Sequence, residues 1–172
     1  VRAGEAEITG VELEVDALPL DGLTLSGTLG WTDFEYKEFM MGGVDVSDTI
    51  RTTYTPEWNM RLSAQYDFGS LAMGGTPYVR LDSRWRDEAD ITAQPIADPV
   101  IADVAVTDSH WILDARAGVV DIPFRDATLG VSVWAKNLLD EDDIVDFGPE
   151  VINQTGQFIN ERTVGVDLSL AL

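Results

Sequence analysis

With 172 residues the chain is long enough for one domain with a substantial core. Thirty-one acidic against 11 basic residues give a formal net charge of −20, which argues against nucleic-acid binding, because phosphate contacts need clustered Lys and Arg. With no cysteine, disulfide frameworks, zinc–thiolate sites and Cys nucleophiles are excluded, and the single His110 leaves no His-rich metal site.

No run of about 18 apolar residues could cross a membrane as a helix, but a barrel crosses with short, half-apolar strands. Period-two alternation predicts seven strands. The first runs from about Ala3 to Leu18, with Val11, Leu13, Val15 and Ala17 opposite Glu12, Glu14 and Asp16. Pro19–Gly22 reads as a tight turn, Pro at its first corner and Asp-Gly at its end. The second strand, Gly22–Tyr36, sets Leu23, Leu25, Leu29 and Trp31 against Thr24, Ser26, Thr28 and Thr32.

The third, about Pro56–Phe68, sets Trp58, Met60, Leu62, Ala64 and Tyr66 against Asn59, Arg61, Ser63, Gln65 and Asp67. The fourth, about Thr76–Arg86, sets Val79, Leu81 and Trp85 against Arg80, Asp82, Arg84 and Arg86. The fifth, about His110–Val120, sets Trp111, Leu113, Ala115 and Ala117 against Asp114 and Arg116. The sixth, about Ala127–Leu138, sets Leu129, Val131, Val133 and Ala135 against Thr128, Ser132 and Lys136. The last, about Phe158–Leu172, sets Val164, Val166, Leu168, Leu170 and Leu172 against Thr163, Asp167 and Ser169.

The connections alternate. Pro19–Gly22, Gly69–Gly75 and Asp121–Asp126 are short; about Glu38–Thr55, Asp87–Ser109 and Asp140–Gln157 are long. Short turns on one rim and long loops on the other are the pattern of an outer-membrane barrel, with turns in the periplasm and loops outside the cell. Trp31, Trp58, Trp85 and Trp111 all fall at the long-loop rim and on the apolar parity, as expected of a lipid-facing aromatic girdle. Arg61, Arg80, Asp82, Arg84, Arg86, Asp114, Arg116 and Lys136 fall on the other parity, as expected of a watery lumen. On the lipid face a mid-strand Arg or Lys would cost about 2–4 kcal/mol. Trp134 is the exception: its parity is polar, and the sequence offers no reason for it.

The expected fold is therefore all-β, an antiparallel transmembrane β-barrel segment of about seven strands. A periplasmic C-terminus makes the first strand descend from outside the cell, and a complete single-chain bacterial barrel has an even strand number. Seven strands would also leave two bare edges in lipid. These points suggest the C-terminal part of a longer barrel. A small eight-stranded structural barrel with one strand overlooked, and a soluble β-sandwich binding module, are the alternatives.

Residues Ala3–Val15 with Pro19–Tyr36, and Thr55–Phe68, resemble the late barrel strands of TonB-dependent outer-membrane receptors. Val131–Asp143, with its Asn-Leu-x-Asp segment at Asn137–Asp140, is similar to that family's last-but-one strand, and Arg162–Leu172 to its closing strand. The resemblance covers essentially the whole chain in order. It implies a barrel of about 22 strands with a plugged lumen, in the outer membrane of a Gram-negative bacterium. It implies binding of a scarce small molecule, such as a ferric siderophore or cobalamin, and import energised through TonB. An N-terminal plug domain and TonB box would be expected upstream of residues 1–172. The barrel-assembly machinery would read the closing strand Val164, Val166, Leu168, Leu170 and Leu172. The family usually ends in an aromatic residue, and Leu172 departs from that.

No Ser/His/Asp set, carboxylate pair or phosphate-cradling glycine loop stands out, so no enzyme, cofactor or metal is expected. Arg80, Arg84 and Arg86 have two readings: contacts to an anionic substrate or plug, or a lumen charge ladder paired with Asp82, Asp114 and Asp67. The second is the plainer. Asp140–Glu150 reads as a solvated acidic loop, since it lacks the spacing of a Ca²⁺-binding loop.

Overall fold

The computed structural model describes residues 4–94, 102, 105–149 and 154–172. The long strands are β1 (Gly4–Leu20), β2 (Leu23–Met41), β4 (Trp58–Asp67), β5 (Thr76–Arg86), β8 (His110–Phe124), β9 (Ala127–Lys136) and β12 (Thr163–Ala171). They form one antiparallel meander in that order. Five short strands lie in the long connections. β3 (Val44–Asp45) folds back on β2, β6 (Ala89–Asp90) pairs with β7 (Val106–Thr107), and β10 (Ile144–Pro149) pairs with β11 (Gln154–Phe158).

Local chemistry sets the boundaries. At Asp21–Gly22 the chain reverses with Gly22 at φ 83°, and the Asp67 backbone N–H reaches across to the Gly22 carbonyl at 2.8 Å. A Cβ on Gly22 would collide with the Asp67 carbonyl, so only glycine serves there. The expected turn at Asp121–Asp126 is shorter than its sequence suggests. β8 continues to Phe124 through a bulge between Val119 and Ile122, where Asp121 takes a φ of 55°, and only Arg125 and Asp126 form the turn. The last long strand also starts later than Phe158. Residues 154–158 belong to the β10–β11 hairpin, and the wall resumes at Thr163.

The register turns alternation into two unlike faces. Leu13 pairs with Leu29, Leu29 with Met60, Met60 with Trp85, and Trp85 with Trp111. One step along, Glu12, Gly30, Asn59, Arg86 and His110 form the matching row on the other face. The apolar rows continue to the far edge through Ala135–Val164, Val133–Val166 and Val131–Leu168.

Nothing among the described residues covers that apolar face. Val11 is 62% exposed, Val164 71% and Leu168 78%. Each Val or Leu left in water forgoes about 1.5–3 kcal/mol of burial free energy. A soluble sandwich would lay a second sheet over these rows, and the wall is a single layer. It is also open, since β1 and β12 do not pair with each other. A closed eight-stranded barrel is therefore not what this chain forms. Most of the buried side chains among the described residues gather instead at the long-loop end, Ala89, Ile91, Ala105, Thr107, His110 and Asn137, with Ser132 in mid-β9 the exception.

Candidate functional site: the polar wall and its loop layer

The polar face carries all eight charged residues expected there. They are Arg61 on β4, Arg80, Asp82, Arg84 and Arg86 on β5, Asp114 and Arg116 on β8, and Lys136 on β9. Their partners follow from register. Arg80 forks onto Asp82, Nε to Oδ2 at 2.7 Å and Nη2 to Oδ1 at 2.6 Å, and Ser63 Oγ donates to the same carboxylate at 2.9 Å. Arg116 reaches across β9 to Asp167 on β12 at 2.7 Å. Arg84 approaches Asp114 only at 3.5 Å, and Asp114 Oδ1 already accepts the Asn137 backbone N–H at 2.9 Å.

The charge ladder is thus only partly as expected. Asp67 bonds Gln65, not an arginine. Arg86 donates to neutral Thr107 Oγ1 at 2.7 Å, and its Nε is buried without a partner. Neither Arg61 nor Arg86 has a carboxylate partner within salt-bridge distance among the described residues.

Trp134 also finds its explanation on this face. Its indole lies over Gly165 of the neighbouring strand, where a Cβ would run into the ring. Its Nε1 donates to Asp167 Oδ1 at 3.2 Å, and the Lys136 ammonium sits 5.9 Å from the ring centroid. Trp134, Arg80, Asp82, Arg116, Lys136 and Asp167 together line a cleft of about 310 Å³. The signal visible in sequence was the glycine in β12, but its partnership with Trp134 depends on register.

The other four tryptophans lie on the apolar face in two directly opposed pairs. Trp31 faces Trp58 with centroids 6.3 Å apart, and Trp85 faces Trp111 at 6.2 Å. The first pair stands two residues closer to the long loops than the second, because Trp85 pairs with Met60 rather than with Trp58. The Trp31 N–H donates to Glu57 at 2.9 Å, so an apolar ring carries a polar tip at the loop edge.

The long connections are clipped to one another. Arg51 pairs with Asp90 at 2.7 Å, and the Tyr54 backbone N–H bonds the Asp90 carbonyl at 2.9 Å. Tyr54 holds a φ of 55° while its hydroxyl donates to Asp146 at 2.6 Å. That carboxylate, aided by partial desolvation, holds the Tyr54 phenol above its ordinary pKa of 10.0. His110 Nδ1 lies 2.9 Å from the Asp108 carbonyl and 3.0 Å from Asp143, two acceptors, so Nδ1 carries the proton. At the tip of the β2–β3 hairpin the backbone N–H groups of Phe39 and Ser47 hold the Asp45 carboxyl below its usual range.

The Asn137–Asp140 segment is a clamp. Asn137 takes a φ of 50°, donates from Nδ2 to the carbonyls of Glu141 and Asn160 at 2.8 and 3.0 Å, and accepts the Glu141 N–H at 2.9 Å. Asp140 receives the Arg162 backbone N–H at 2.9 Å and its guanidinium at 3.3 Å. The end of β9 is thereby tied to the start of β12. Among the described residues no group of three or more His, Cys, Asp or Glu is arranged to hold a metal ion.

An open antiparallel meander with an apolar outer face, a charged opposite face and alternating short and long connections defines the wall of a β-barrel. Residues 1–138 match the family described as "TonB dependent receptor-like, beta-barrel", and the chain belongs to that family. Its fold is that of the barrel of two solved receptors. One is BauA, the ferric preacinetobactin receptor from Acinetobacter baumannii, with TM-score 0.76, 19% identity, and 100% of this chain covered. The other is FyuA, the ferric yersiniabactin uptake receptor from Yersinia pestis, with TM-score 0.74, 19% identity, and 96% covered. The chain spans 23% of the length of each. No curated protein sequence matches it.

Proposed function

We propose that residues 1–172 are the C-terminal portion of the barrel of a TonB-energised importer in the Gram-negative outer membrane. In this reading the apolar face meets lipid, with Trp31, Trp58, Trp85 and Trp111 at its outer boundary. The charged face lines a lumen filled by the protein's own N-terminal plug domain. The short turns lie in the periplasm and the clipped loops outside the cell. The cargo is a scarce small molecule of the ferric siderophore or cobalamin kind, carried without covalent chemistry. TonB supplies the energy, and the barrel-assembly machinery engages Val164, Val166, Leu168 and Leu170, the apolar face of β12.

The observation that carries this reading is the continuity of the two faces across seven strands. Arg61, Arg80, Asp82, Arg84, Arg86, Asp114, Arg116 and Lys136 share one face by strand register, and the apolar rows on the other run through to β12, which supports lipid on the apolar side. Single cysteines test it, since residues 1–172 contain none. In the full-length receptor in outer membranes, a fluorophore attached through Val133→Cys or Val166→Cys should be quenched by lipid-borne quenchers, and the free thiol there should resist an impermeant maleimide. Cysteine at Thr24 or Ser169 should do the reverse. The same behaviour at both sets would refute the assignment of faces.

A further inference from the structure

The apolar face is not uniformly filled. Across its middle, Leu81 on β5 faces Ala115 on β8, Ala115 faces Ala135 on β9, and Ala135 faces Val164 on β12. One row nearer the short turns, Val79 faces Ala117. Three alanines thus make a floor between branched side chains on β5 and on β12. The result is one groove of about 740 Å³, lined by every residue just named. Ala115 and Ala117 lie four and six residues beyond Trp111 along β8. At the usual strand rise and tilt that is about 10–15 Å below the tryptophan. In an apolar band about 25 Å tall, the groove therefore runs from the outer half of the membrane to its middle.

The outer end of this groove carries a cation. Arg162 precedes Val164 by two residues and shares its parity. Its Nη1 donates to the Leu138 carbonyl at 3.3 Å, and the Leu138 N–H bonds the Leu113 carbonyl at 2.7 Å. The guanidinium is thereby held at the loop end of the alanine floor. Asp140 meets its Nη2 at 3.3 Å, but the two side chains are 47% and 48% exposed, and an ion pair so open is weak. Two of the five N–H donors are engaged among the described residues. Within lipid, apolar area alone prefers no site over another; close packing and polar contacts do. A groove of small residues gives a flexible chain packing on its floor and both walls. A guanidinium at its end gives a phosphate paired N–H donors.

We propose that this groove is a binding site for a phosphate-bearing lipid of the outer leaflet, with one acyl chain along Ala115 and Ala117 and the phosphate at Arg162. The cation at the groove's end selects this occupant, because a second barrel would meet it with another apolar face. The proposal rests on the reading of this face as lipid-facing. It goes beyond that reading by giving one place on the wall a lipid of its own.

The test is native mass spectrometry of the full-length receptor in detergent, titrated with dipalmitoyl phosphatidylglycerol and with uncharged dipalmitoylglycerol. One phosphatidylglycerol should stay bound at collision energies that strip the diacylglycerol. Arg162→Gln should cut the preference for the charged lipid about fivefold, one interfacial cation's share, and Arg162→Lys should keep most of it. Ala115→Leu combined with Ala117→Leu fills the floor from the lipid side and should release the bound lipid. Val131→Leu, on the same face but outside the groove, should not. No retained lipid, equal retention of the two lipids, or retention unchanged in the leucine pair would overturn the proposal, as would a dimer in place of the lipid adduct. Correct cysteine labelling at Val166 and Thr24 with no lipid retained would remove only this site. Reversed labelling would remove the lipid-facing reading itself.

Discussion

The Trp134 indole lies across Gly165 and donates its N–H to Asp167, two residues further along the same strand. An aromatic ring on a polar wall is thus seated in a gap left by a missing side chain. Gly165→Ala should force the ring off its seat and break the bond to Asp167. The expected cost is about 1–3 kcal/mol, the usual penalty of overpacking. Near-ultraviolet circular dichroism of the full-length receptor would register the moved indole, and Trp134→Phe should make the glycine substitution milder.

Asn137 combines a left-handed backbone with bonds to Glu141 and Asn160. Asn137→Ala should lose both contributions and destabilise the β9–β12 junction by about 1–3 kcal/mol. Asn137→Gly relieves the backbone but not the bonds, so it should fall between wild type and Ala. Amide exchange at Glu141 and Arg162 would rank the three.

The two faces differ in what they tolerate. Val133→Arg, in the middle of the apolar face, should destabilise the receptor by about 2–4 kcal/mol if it sits near the bilayer midplane. Thr24→Arg, on the polar face, should change stability by less than about 0.5 kcal/mol. Urea unfolding in lipid vesicles would measure both. Equal costs would count against an outer face in lipid.

The bond from Tyr54 to Asp146 has a pH signature. The Tyr54 pKa is raised in the folded chain, so the protonated phenol is the form that folding favours. Its contribution is fully present below the ordinary value of 10.0 and is lost as pH rises through the higher folded value. Ultraviolet titration should show one tyrosine ionising late, and Tyr54→Phe should abolish that component. For Asp45 the sign is opposite, because its folded pKa is lowered from 3.8. Its hold on the Phe39 and Ser47 amides should persist above that value and fail as pH drops through the lower one.

The long strands were legible in the sequence because most of each shows period-two alternation, but their ends were not: β1 runs through Pro19 to Leu20, so only Asp21 and Gly22 turn there, and β2 runs past Tyr36 to Met41. β5 has the bounds expected of it, Thr76–Arg86. The short hairpins in the long connections were not legible. β3, β6 and β7 are two residues each, too short to show any period, and β11 reads as a continuation of β12 because only residues 159–162 separate them. Which charge sits on which face could be read from parity. Which arginine keeps a carboxylate could not, because Arg116 finds Asp167 by two steps of strand pairing across 51 residues. The same reason hid the partner of Trp134. The Asn137–Asp140 segment was visible as a motif, and its geometry shows the work it does: it joins strand ends.

The clips among the long connections bear on how such a surface can change. Arg51 binds Asp90, Tyr54 binds Asp146, and His110 binds Asp143, so each long connection is joined to another part of the rim by polar contacts. A transplant of one connection into another barrel would arrive with half of each contact missing. Selectivity encoded at this rim is therefore inherited as a set. New cargo preference should evolve by coordinated replacement of the segments around Tyr54, Asp90 and Asp146, and chimeras that exchange only one of them should assemble with a disordered mouth.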